Sequence, residues 1–91
     1  MNLDGMPGGD FVARGIADLE RGVESIFALL ISMAPERLRE LGLSIASPIE
    51  SPEPKLYAQL EAELGNGAHS RYNALRRQLV SFIKTGQCAK Q

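Results

Sequence analysis

The chain has 91 residues, enough for one domain with a single hydrophobic core. An apolar fraction of 44% and a charged fraction of 23% exclude general disorder, and five aromatic residues with no Trp leave the core to Leu, Ile, Val and Ala. The net charge of −1 hides a division: residues 1–64 hold all eleven carboxylates and five cations, a net −6, while residues 65–91 hold the other five cations, a net +5.

The opening Met1 to Gly9 has neither a basic stretch nor an apolar run, which predicts no signal or transit peptide. Its glycines and Pro7 read as a flexible leader over residues 1–9, with Asp10 as the N-cap of the first helix. Val12, Ile16, Leu19, Val23, Ile26, Leu30 and Met33 then recur at alternating spacings of four and three, predicting a long helix over 10–34. Gly15 and Gly22 lie on one flank of that stripe. They suit the close approach of a neighbouring helix; alternatively Gly22 breaks the segment in two. Phe27, Leu29 and Ile31 widen the apolar stripe in its second half, as in a central buried helix or a subunit interface. The apolar run Ile26 to Met33 is eight residues, far short of the roughly 20 that cross a membrane, so a soluble cytoplasmic protein is expected.

Pro35 disfavours helix at Ala34 and suits the first position of a short helix over 35–42, closed by Gly42. Leu43 to Ile45 alternates for three residues, too few for a strand. Pro48, Pro52 and Pro54 mark an extended crossover, and Ser51 precedes a helix over 52–64 stopped by Gly65, Asn66 and Gly67. A last helix is predicted over 68–85, with Gly86 as its stop and residues 87–91 as a frayed tail. The expected fold is all-α, a small bundle of three to four helices in one domain over 10–86, with the last two helices antiparallel.

Chemistry finds little footing in this chain. His69 is the only histidine, and the adjacent Ser70 points about 100° away on a helix, which does not place the imidazole to activate its hydroxyl. One His and one Cys, Cys88, leave only carboxylates for a metal, and Glu20 and Glu24 share a helix face with nothing to complete a cluster. No phosphate-binding glycine pattern occurs. No enzyme activity, catalytic residue, metal, cofactor or small-molecule substrate is expected.

Two surfaces remain. On the last helix Ala68, Tyr72, Leu75, Leu79, Phe82 and Ile83 form a core arc, and Asn73, Arg77, Val80 and Lys84 lie opposite, with Arg76 on one shoulder and Arg71 on the other. Arg76, Arg77, Val80 and Lys84 are the candidate partner-binding residues, unless Glu53, Glu61 and Glu63 of the preceding helix pair with the arginines and quench them. Phe27, Leu30, Ile31 and Met33 are the candidate self-association residues, favouring a homodimer over a monomer. The expected role is a small non-enzymatic protein–protein interaction or regulatory protein. The alternative is a nucleic-acid-binding regulator, because residues 56–84 have the outline of a helix-turn-helix. Against it stand the −1 net charge and the Asn66–Gly67 pair, which takes the place of an apolar residue in the turn.

Overall fold

The computed structural model describes residues 6–90. Five α-helices follow one another: α1 Gly9–Glu20, α2 Ile26–Ile31, α3 Pro35–Glu40, α4 Pro52–Leu64 and α5 Ala68–Lys90. A 3-10 turn over Gly65–Gly67 joins α4 to α5. No strand occurs among the described residues, so the chain forms the expected all-α bundle, with its long first helix divided in two.

The division falls at Gly22. This residue takes φ +72°, the left-handed conformation that closes a helix, and its N–H donates to Leu19 O at 3.0 Å. The Val23 N–H donates to Asp18 O at 2.8 Å, so two carbonyls of the last turn are satisfied. Ser25 then opens α2, its Oγ accepting from the Ala28 N–H at 3.1 Å and donating to Asp18 Oδ2 at 2.6 Å. The Arg21 guanidinium donates to the other Asp18 oxygen. The bond from Ser25, then that from Arg21, holds the Asp18 carboxyl below its ordinary pKa against the opposing effect of burial.

The second glycine does different work. At Gly15 an added Cβ would lie 2.6 Å from Phe27 O and 3.0 Å from Ile31 Cδ1, so α2 packs on α1 where only glycine permits it. This places Ala28, Leu29, Leu30 and Ile31 at the centre of the molecule, each fully buried. Val12 and Leu19 of α1, Leu38 of α3, Leu56 and Leu60 of α4, and Leu75, Phe82 and Ile83 of α5 complete the core around them. Val23, inside the predicted apolar stripe, falls just past the break and is 42% exposed.

The short helix ends as its glycine predicted, at Gly42 with φ +94°. The proline-rich crossover is tied down by side chains: Ser32 Oγ donates to Ala28 O at 2.7 Å and accepts from the Ile49 N–H at 3.1 Å, and Arg39 donates to Ile45 O at 2.8 Å. Ser51 takes the N-cap position of α4, but its side chain makes no capping bond there.

Three boundaries differ from the sequence reading. Residues 1–5 of the expected leader lie outside the described residues, but residues 6–9 are folded, with Met6 packed against the core and Gly9 buried. The N-cap of α1 is Gly8 at φ +76°, not Asp10, which lies in the first turn. A Cβ on Gly8 would collide with the Phe11 ring and sit 3.3 Å from Gln78 O, so the glycine is needed where the chain meets α5. At the other end α5 runs through Gly86 to Lys90, and Gly86 is a buried helical residue rather than a stop. One glycine costs a helix only about 1 kcal/mol relative to Ala, which the packing of a long amphipathic helix can offset.

Candidate functional site

The 23 residues of α5 present the two arcs that their periodicity predicts. Ala68, Leu75, Leu79, Phe82 and Ile83 are buried, and Tyr72 is half-buried against the core. Tyr72 meets Tyr57 of α4 edge to face at 5.4 Å between ring centroids, which fixes how α5 is rotated against its neighbour. On the outer side Arg76, Arg77, Val80 and Lys84 are exposed, and Val80 keeps 41% of its surface in water.

The suspected quenching does not occur. Among the described residues no ion pair joins Arg71, Arg76, Arg77 or Lys84 to Glu53, Glu61 or Glu63. Arg76 instead lies over the Tyr72 ring, its guanidinium carbon 5.8 Å from the centroid, which limits its freedom and leaves its donors free to meet a partner. Asn73, Arg76, Arg77, Val80 and Ser81 line a shallow concavity of about 360 Å³. One aliphatic residue, Val80, beside two arginines can meet an apolar side chain flanked by carboxylates.

The structure treats the self-association set differently. Leu30 and Ile31 are fully buried in the chain's own core, and Phe27 and Met33 are half-buried. The break at Gly22 is the reason: it folds the apolar half of the predicted long helix inward, so little of that surface is left for another copy. Phe27 stacks on Phe11 at 5.9 Å and lies under the Arg14 guanidinium at 5.8 Å.

His69 is exposed, with Nε2 3.2 Å from Asn73 Nδ2 and its ring edge-on to Tyr57 at 6.5 Å. A cleft of about 540 Å³ lies where the N-terminal turn meets α5, lined among others by Asp10, Phe11, Arg14, Arg71 and Gln78, and His69 is not part of it. Cys88 is a free, exposed thiol. Among the described residues no three of His, Cys, Asp and Glu gather as a metal site would require, and no helix is long and apolar enough to cross a membrane.

Sequence reasoning missed the polar links. Asp18 with Ser25 and Ser32 with Ile49 are partners seven and seventeen residues apart; the first pair lies across the break at Gly22 and the second reaches from α2 into the crossover, so neither contact is made within one helix. Ser25 directly before the apolar run from Ile26 was an available signal for the cap on α2, though not for its bond to Asp18. In comparisons with protein-family models, curated proteins and solved structures, nothing matches this chain.

Proposed function

We propose that this chain is a small, non-enzymatic interaction or regulatory protein of the cytoplasm whose docking face is the outer side of α5. The observation that carries this reading is a group of exposed cations, Arg76, Arg77 and Lys84, set around the half-exposed Val80 with no glutamate of α4 paired to them. An acidic protein segment with one apolar anchor fits that chemistry: carboxylates meet guanidinium donors while an aliphatic side chain covers Val80.

Calorimetric titration with a synthetic helical peptide carrying glutamates around a single leucine tests the reading. Binding should weaken at least about tenfold when Arg76, Arg77 and Lys84 are replaced together by Glu, and should weaken with added salt. Equal affinity for wild type and variant would overturn it.

Nucleic-acid binding is the second reading, favoured by the helix–turn–helix order of α4, the Gly65–Gly67 turn and α5 with its exposed arginines. Val80 in the middle of the cationic face and the acidic remainder of the chain argue for a protein partner instead. Duplex DNA titrated at several salt concentrations separates the two, since contacts with Z phosphates give a log–log slope near −0.9Z.

A further inference from the structure

The cleft of about 540 Å³ where the N-terminal turn meets α5 has a lining unlike that of the α5 face. Its size falls among small-molecule sites, which run from about 300 to 1,000 Å³. Four of its lining residues are apolar, Met6, Pro7, Phe11 and Phe27, and two are cations, Arg14 of α1 and Arg71 of α5. Packing shapes it: the Gly9 N–H donates to Met6 O at 3.0 Å, which closes the turn on one side, and the Phe11 and Phe27 rings stack at 5.9 Å. The Arg14 guanidinium is held over the Phe27 ring at 5.8 Å, a contact that limits its motion and uses none of its N–H donors. Both arginines are exposed, and among the described residues neither forms an ion pair. Carboxylates do stand nearby. Asp10 lines the same cleft, and Asp18 and Glu63 line a neighbouring hollow that Arg14 and Phe27 also border. Asp18 is already bonded to Ser25 and Arg21. Two guanidiniums against Asp10 leave the cleft a surplus of one positive charge.

We propose that this cleft is a binding site for a small aromatic carboxylate. The ring of the ligand packs on the apolar residues that line the cleft, and its carboxylate meets Arg14 and Arg71. A guanidinium presents paired N–H donors in the plane that a carboxylate accepts, and a flat ring suits a site bordered by two phenylalanines. One negative charge matches the surplus of one positive charge; a dianion of the same shape also meets the repulsion of Asp10. Gln78 adds a neutral side-chain amide to the lining. The lining holds no His, Cys, Ser, Thr or Lys, so the site binds its ligand and supplies no nucleophile to change it. Arg76, Arg77, Val80 and Lys84 are not part of it, so this site and the α5 docking face stand or fall separately.

The test is an NMR titration of the full chain with three probes of one shape: 2-naphthoate, the neutral 2-naphthalenemethanol and the dianionic 2-naphthyl phosphate. Naphthoate should shift the ring resonances of Phe11 and Phe27 and saturate with a Kd of about 1 mM or below. The alcohol should bind at least about fivefold more weakly, and the phosphate no more tightly than naphthoate. Arg14→Gln and Arg71→Gln, each checked for helicity by circular dichroism, should weaken naphthoate at least about fivefold and leave the alcohol unchanged. Arg76→Gln, outside the cleft, should alter neither. Absence of saturation by about 10 mM naphthoate, equal affinity for the acid and the alcohol, or full affinity in Arg71→Gln would each overturn the proposal. Tighter binding of the phosphate would overturn the choice of a carboxylate.

Discussion

Asp18 accepts from Ser25 and Arg21 at the end of α1, and Ser25 in turn caps α2, so one carboxylate couples a helix end to the next helix start. Its pKa in the folded chain is lowered from 3.8 by those two bonds, in that order. A depressed carboxylate contributes stability that is complete above the unfolded value and is lost as pH falls through the folded one. Wild type should therefore lose stability on going from pH about 5 to about 3 partly through this group. Asp18→Asn should lower the urea midpoint at neutral pH and show a smaller fall over that interval. Parallel falls in both proteins would mean that Asp18 is not among the groups responsible. Ser32 is a comparable junction, buried between α2 and the crossover, and its hydroxyl both donates and accepts.

For the first two helices, the arrangement depends on two glycines with separate roles. Gly22 needs its left-handed backbone, while nothing lies within 4 Å of a Cβ there. Gly22→Ala should then cost about 1–2 kcal/mol from conformation alone, and Gly22→Asn should cost less because Asn tolerates that region. Gly15 has the reverse character. Alanine there gains about 1 kcal/mol of helix propensity, but its methyl meets the Phe27 carbonyl at 2.6 Å, and overpacking of this kind costs about 1–3 kcal/mol. Gly15→Ala should be net destabilising, and Gly15→Asn no better. Urea denaturation of the four variants checks this ordering; if Gly22→Asn is no milder than Gly22→Ala, the backbone explanation fails.

Across the whole molecule, stability and binding draw on different residues. Leu30 is fully buried at the centre of the bundle, and Leu30→Ala should lower the unfolding free energy by about 2–5 kcal/mol. Val80 is 41% exposed, and Val80→Ser should change stability by no more than about 0.5 kcal/mol while weakening whatever α5 binds. Thermal unfolding of both variants tests the contrast, and a large loss from Val80→Ser would mean that Val80 is part of the core. The charge division has the same whole-molecule character. The acidic and basic halves lie next to each other along the chain, yet α4 and α5 meet through Tyr57 and Tyr72 rather than through glutamate and arginine.

The helices were legible because each records its burial in its own periodicity. The arc of α5 from Ala68 to Ile83, the proline start of α3 at Pro35 and the glycine turn at residues 65–67 follow from spacing and backbone preference within a few residues. The candidate face was legible to the same extent: spacing alone put Arg77, Val80 and Lys84 opposite the core. The sequence offered both glycine roles, close approach of a neighbouring helix and a break at Gly22, but spacing did not assign them: Gly22 takes the left-handed backbone and Gly15 the close contact with Phe27, while Gly86, read as a stop, is helical. Nor did the apolar stripe from Val12 to Met33 reveal that its second half turns inward at Gly22, because a stripe records which residues are apolar and not which surface covers them. Sequence by itself determined the helical class, the helix faces and the uneven distribution of charge. Only the tertiary structure decided that Leu30 and Ile31 belong to the core and that the arginines of α5 stand apart from the glutamates of α4. That outcome depends on the rotation of one helix against another, which side-chain packing sets and one-dimensional spacing does not record.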